Sequence, residues 1–391
     1  MNYEGLRSSL GQTNIAYVPE PYVLGGQVCA VNPQSQSPGA TTCHSNDLVR
    51  VVSAVPSIQA AILSIYPRPA PAAPDLGGYA PFPESASLVT RQNYSLGRLD
   101  YSISSRESLF GRYVIDWADQ ANPFAGSSIP LWPDREVTRN LYLTAEEKHV
   151  FGPGTVNLFR VSFVRNCSNG MTTNEVPALS LFPSPGRENT SVTPGGGLST
   201  VGANGADPFK TVQNKISIGD DLLWTWGAHR LTAGVSAARI ESGIVDADYQ
   251  SGNFIFFTLS NFLLGKADLY YGGQSPSQGF NDARGFRQVD FFPYLQDDWK
   301  VLPKLTLNLG LRWDFSTSPV GMGTPLEAAV NPLTDNGYTV THHAFAQNPN
   351  RWNLDPRIGR LRSVCGSQNI HSSGLWDLSR ASGSEDVCPR L

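Results

Sequence analysis

The sequence predicts an all-β protein, and three observations carry that prediction. Leu305, Leu307, Leu309, Leu311, Trp313 and Phe315 fall on every second residue, with Thr306, Asn308, Gly310, Arg312 and Asp314 between them. The same alternation recurs in four hairpins. Short turns at one end of these hairpins alternate with long polar loops at the other. An apolar face alternating with a polar one over about ten residues fits a strand that meets lipid on one side and water on the other. The predicted fold is therefore an antiparallel transmembrane β-barrel, seen in part as about eight strands, with long extracellular loops and short periplasmic turns.

Residues 1–92 read as the end of a strand followed by a long extracellular loop. Within it, VPSIQAAILSIYP (55–67) places Pro56 at a helix first turn and Ile58, Ala61, Ile62 and Ile65 at helical spacing, which predicts a short surface helix on the loop side with no ligand role. Pro67, Pro69, Pro71 and Pro74 stop it and impose an extended linker.

Residues 93–316 hold the hairpins. Tyr94 to Ile103 aligns Leu99, Tyr101 and Ile103, turns at SSRES, and returns with Leu109, Tyr113, Ile115 and Trp117. Val137 to Val150 carries Leu141 and Leu143, turns at GPGT and returns through Phe159, Val161 and Phe163. Ile216, Ile218, Leu222, Trp224 and Trp226 precede a turn at Gly227 and Ala228, with Leu231, Ala233 and Val235 returning. Val289 to Lys300 leads through a Val-Leu-Pro turn into the leucine strand. Gly, Pro or Ser stands in each tight turn, as short antiparallel connections require. The stretches 118–134, 166–213 and 242–287 have loop composition. Residues 317–359 read as another extracellular loop and the start of a further strand. Residues 360–391 lose the alternation and are expected to form a disordered tail.

Side-chain chemistry agrees with a membrane strand. Trp117, Trp224, Trp226, Trp299, Trp313 and Phe315 fall near strand ends, where an interfacial belt places amphipathic rings. Arginine on a lipid face near the midplane costs about 2–4 kcal/mol, so Arg98, Arg112, Arg160 and Arg312 should face the lumen or lie near strand ends, and Arg312 faces the lumen because it alternates with the leucine face. Arg139 shares parity with Leu141 and Leu143 and is expected near the loop-side rim.

Catalytic and metal chemistry finds little support. There is no HExxH or GxSxG, and His149, His229, His342 and His343 read as surface residues. GGGLSTVGANG (195–205) lacks the Lys of a phosphate-binding loop and reads as a flexible loop. Asp297 and Asp298 point to opposite faces of a strand, which argues against a paired acid and base. No catalytic, cofactor-binding or metal residue is assigned, and the protein is read as not an enzyme. A net charge of -4 gives no support to nucleic-acid binding. Of five cysteines, Cys29 and Cys43 flank a Pro, Ser and Gly-rich stretch in an extracellular loop and are candidates for a disulfide, with two free thiols the alternative.

NYEGLR at the start, the LSIYPRP run (63–69), GRLDYSISSRESLFGRY (97–113), SNFLLG (260–265), YLQDDWKVLPKLTLNLGLRWDF (294–315) and NLDPRIG (353–359) resemble TonB-dependent receptors of the Oar-like type, common in Acidobacteria. The resemblance covers most of residues 2–359, with the QDDWK to LGLRWDF block its most specific part. It implies a large outer-membrane barrel occluded by an N-terminal plug, taking up ligand with energy relayed by TonB.

Against that pattern, no secretory signal, plug or TonB-contacting segment is recognised, so the chain is expected to be a fragment of the barrel domain. Its expected partners are the outer-membrane bilayer, TonB only through a plug, and an unknown small-molecule, carbohydrate or peptide ligand engaged by loops in 166–213 and 242–287. The alternatives are a non-transporting surface or adhesion protein and a soluble β-sandwich binding module.

Overall fold

The computed structural model describes residues 1–30, 43–173, 190–246, 252–272, 283–345 other than 324, 330 and 332, 352–365 and 369–374. Eleven strands follow one another in a single antiparallel sheet whose spatial order is the order of the chain. They are β1 (Asn2–Pro19), β2 (Tyr79–Ser102), β3 (Glu107–Asn122), β4 (Asp134–Gly152), β5 (Thr155–Thr172), β6 (Phe209–Trp226), β7 (His229–Asp246), β8 (Ala283–Leu302), β9 (Leu305–Trp313), β10 (Leu354–Cys365) and β11 (Asn369–Gly374). Short strands Phe315–Ser316 and Val320–Met322 also pair with β8.

Two expectations are corrected. The strands outnumber the eight read from alternation, and they are longer: β3 has 16 residues and β2 has 24. About ten residues suffice to cross a bilayer. The remainder run on at the loop end, where water wets both faces and alternation is not required, so 166–172 and 242–246 belong to strands although their composition is that of loops. Backbone pairing there is indifferent to side-chain polarity. The strand beginning in NLDPRIG likewise continues to Cys365, and β11 pairs with it, within the stretch expected to be a strandless tail. Residues 375–391 lie outside the described residues.

Register separates the sheet into two faces. Tyr113, Leu143, Phe163 and Ile216 stand in one cross-strand row, and the adjacent row on the other face is Arg112, Thr144, Ser162 and Ser217. A one-residue slip would exchange the two rows, so the pattern specifies the pairing. Close packing adds to it: Gly234 lies beneath the ring of its cross-strand partner Tyr294, where any Cβ would collide. Large side chains on the apolar face stand open, with Leu99 73% exposed, Ile218 53% and Leu295 54%. Covering such a side chain with apolar material is worth roughly 1.5–3 kcal/mol. No helix of the described residues is long and apolar enough to cross a membrane.

The packed core lies beyond the loop end of the sheet. It gathers Val23 of α1 (Pro21–Leu24), Ile62 and Leu63 of α2 (Ser57–Leu63), Ile129 and Trp132, Val192 and Val201, and Phe262 and Leu263 of α3 (Leu259–Leu263) against Val18 and Tyr79 at the ends of β1 and β2. Four inter-strand loops thus build one cap. The helix predicted at 55–67 exists, but it buries Gln59, Ile62 and Leu63 and leaves Ile58 48% exposed. Its inward face keeps Ile62 and Ile65 of the expected stripe and takes in Gln59 and Leu63, with the Gln59 side chain beside Gly265 at the end of α3.

Candidate functional site

The cap is held by backbone approach as much as by side chains. Gly195, Gly196 and Gly197 all have positive φ (73°, 58° and 93°), and Cβ atoms there would strike the Phe256 carbonyl, Leu259 and the Tyr79 ring respectively. Only glycine meets both demands. The segment read as a flexible loop is therefore a tight pass between the rim of the sheet and α3. Ser199 exchanges bonds with Tyr17: the Tyr17 amide donates to the Ser199 hydroxyl (2.9 Å), and the Ser199 amide donates to the Tyr17 carbonyl (3.0 Å). Tyr66 donates its hydroxyl to the Ser199 carbonyl, and burial pushes its pKa up. Tyr22 donates to both oxygens of Asp75 (3.1 and 3.0 Å); desolvation, then the Asp75 charge, raises its pKa.

At the junction of cap and sheet, two carboxyls meet. Asp207, 3% exposed, accepts the Thr172 hydroxyl at 2.6 Å, while Asp134 at the first position of β4 accepts from Asn204 at 3.4 Å. One oxygen of each has no hydrogen-bond partner among the described atoms. Burial first, and Asp207 beside it second, push the Asp134 carboxyl up to about 6.

Paired charges line the polar face of the sheet. Arg98 meets Asp100 at 2.6 Å, Arg160 meets Glu146 at 2.7 Å, and Arg312 meets Asp314 at 2.5 Å. Asn308 donates to Asp298 and Tyr294 to Asp221, both at 2.8 Å. Arg312 stands on this face as its parity requires, and Arg98, Arg112 and Arg160 take the lumen-side one of their two expected placements.

The apolar face ends in two rims. At the loop end, Arg139 lies over the Trp117 ring, 5.3 Å from its centroid, five residues in from Asp134, the first residue of β4. It sits near the rim, as its parity required. Phe291, Trp313 and Phe315 form the same edge on the later strands, with ring centroids 6.0 and 5.7 Å apart. At the turn end, Trp224, Trp226, His229 and Trp299 stack in sequence, with centroid steps of 5.8, 6.3 and 5.2 Å. His229 Nδ1 lies 2.7 Å from Asp297. Asp298 is on the opposite face, as predicted, so no carboxylate pair forms with Asp297. Glu107, Glu147 and His149 also converge on the apolar face at the turn end, their ligand atoms within 4.8 Å of one another. No motif spacing announces that trio, because it spans two strands.

Cys29 and Cys43 are joined as a disulfide with Cα atoms 5.9 Å apart, closing the hairpin of strands Gln27–Cys29 and Leu48–Arg50. Cys167 is a free, half-buried thiol. His342 and His343 stand in the loop after β9, where the His343 amide donates to the Thr341 hydroxyl. Of the loops expected to meet ligand, 174–189, 247–251 and 273–282 lie outside the described residues. The cap escaped sequence reading because each loop contributes only a few of its buried residues. The one signal was FIFFTLSNFLLG (254–265), too short for a membrane helix and too apolar for an exposed loop.

Among solved structures, the chain is similar to the outer membrane transporter YddB of Escherichia coli (11% identity over 77% of this chain and 32% of that one, TM-score 0.42). It is similar to the FpvA receptor of Pseudomonas aeruginosa in complex with a pyoverdine and iron (12%, 73% and 36%, TM-score 0.43). It is also similar to the alcaligin outer membrane receptor FauA of Bordetella pertussis (11%, 74% and 36%, TM-score 0.41). The chain spans about a third of the length of these proteins. No curated protein matches it. The model of one sequence family matches residues 1–361, nearly the whole chain, and by that match this chain belongs to the outer membrane beta barrel domain family.

Proposed function

We propose that the chain is a stretch of the barrel of a TonB-dependent receptor, in which the loop-side cap meets ligand and the polar face borders its path across the outer membrane. The observation that carries this reading is a cap assembled from four loops above a sheet with one apolar face and one face of paired charges. The Oar-like resemblance supports it, since its most specific block forms the β8–β9 hairpin. Energy coupling would enter through a plug outside this chain. Iron chelates, carbohydrates and peptides are all compatible with the cap, and the isolated chain is expected to transport none of them.

A second reading, a non-transporting surface or adhesion protein, is favoured by the density of the cap, in which Phe262 and Leu263 are fully buried. A soluble sandwich module is not proposed, because membership of an outer-membrane family and the exposed apolar rows count against it. Hydrogen exchange on the detergent-solubilised chain, with a ferric siderophore, a maltooligosaccharide or a peptide mixture added in turn, separates the two. Protection of 190–208 and 252–272 by one class supports a receptor. Absence of protection by every class, in a chain that resists unfolding in detergent, favours the surface protein.

A further inference from the structure

Arg139 on β4 and Arg165 on β5 are diagonal neighbours on the apolar face, because Leu141 pairs with Arg165 and Arg139 pairs with Cys167. That geometry brings their side chains within about 7–8 Å of one another at the backbone end, and both are long enough to converge on one anion. Each is the first charged residue above the apolar part of its strand on that face. Three other cations near this edge face carboxylates: Arg135 binds Asp119 through two contacts (2.9 and 2.5 Å), and Arg239 and Arg287 share Glu241 (2.8 and 3.4 Å). Arg139 lies over the Trp117 ring and in the field of Asp119, whose carboxylate Arg135 already holds, and Arg165 donates to the Asn214 side-chain carbonyl (2.9 Å); neither arginine is in an ion pair among the described residues.

Directly below this pair, toward the turn end of the same strands, the structure holds a groove of about 560 Å³. Leu99, Tyr113, Leu143 and Phe163 line it beside Gly97 and Gly111, and Arg98 and Arg112, which the register places on the polar face, border it through their backbone positions. A Cβ at Gly111 would meet nothing within 4 Å, so the groove is open space and not an artefact of one missing methyl. A cationic pair above an apolar slot, on a face that lies in a bilayer, has the shape of one lipid: charge at headgroup height, chain below.

We infer that Arg139, Arg165 and the groove beneath them form a binding site for a lipid with an anionic phosphate headgroup, in the leaflet on the loop side. Anionic headgroups attract a cation at the membrane surface with an energy equivalent to about fivefold in occupancy per Arg. The inference rests on the membrane placement of the sheet and is independent of transport.

The test uses the full chain in nanodiscs of phosphatidylcholine doped with phosphatidylglycerol, with native mass spectrometry counting retained lipids. The wild-type chain should hold at least one phosphatidylglycerol above its mole fraction, and added sodium chloride should release it. Arg139→Gln with Arg165→Gln should lower retention on the order of twentyfold. Gly111→Leu, which fills the groove and leaves both cations, should lower it as well. Arg239→Gln with Arg287→Gln removes the same charge from the same face and should leave retention near wild type.

Retention in proportion to mole fraction, insensitivity to salt in the wild type, equal loss in the Arg239/Arg287 control, full retention in Gly111→Leu, or displacement by inorganic phosphate would each overturn the site. The wild-type salt titration decides the matter even where a variant does not fold.

Discussion

Asp134 shows how one residue couples the cap to the sheet. Its carboxyl is held at about 6, above the ordinary 3.8, by burial and by Asp207. A raised value means that the folded state binds the proton more tightly, so between these two values the junction loses stability as pH rises, and above them it stays level. The thermal midpoint followed through Trp132 fluorescence should fall over that window, and Asp207→Asn should flatten the slope. A wild-type midpoint that climbs with pH would contradict this account. The Cys29–Cys43 bridge is a second matter of single residues. Closing a loop with a sequence separation of 14 is worth about 3 kcal/mol on the chain-entropy account. Reduction should expose 27–50 to protease while leaving the strands intact, and non-reducing peptide mapping should recover the two cysteines in one species. These pairings were only half legible. Cysteine spacing nominates Cys29 and Cys43, whereas nothing in the sequence brings Asp134 to Asp207, 73 residues away and on a different loop.

Strands are the elements most legible in the sequence, where they cross lipid. Leu305 to Phe315 alternates because one face needs apolar cover and the other water, and the structure pairs those residues in that register. Above the membrane both faces are wet, the constraint lapses, and the ends of β2, β5 and β7 were read as loop. The prediction at this scale is a contrast along one strand. Leu311→Arg places a guanidinium on the apolar face and should cost about 2–4 kcal/mol in denaturant unfolding from lipid vesicles. Thr306→Arg, on the polar face, should cost little, about 0–1 kcal/mol. Similar costs for the two would mean that the faces are misassigned. The α2 helix marks the limit of periodicity, which found the helix but only part of its buried side, since Ile58 and Ile62 look equally apolar until a partner arrives.

Among the described residues the sheet is open. β1 pairs only with β2 and β11 only with β10, so each edge presents a row of unsatisfied backbone groups. Lipid does not tolerate such rows. The detergent-solubilised chain alone should therefore self-associate, with cross-links mapping to β1; a monodisperse monomer would show that the edges are closed in another way. The barrel strands could be read from the chain because alternation and tight turns are local patterns, and the family from motifs such as YLQDDWKVLPKLTLNLGLRWDF that lie within one hairpin. The cap could not, because it is a property of four loops together.

That dispersal has a kinetic consequence. The buried cluster draws on residues from Ala16 to Leu263, so it cannot close until seven strands stand side by side in register. Contacts of such long range form late. A barrel whose pairing had slipped would carry its loops to the wrong positions and leave Phe262 without a pocket. Closure of the cap should therefore report on the register of the strands beneath it, and burial of Phe262 during refolding should lag behind strand pairing.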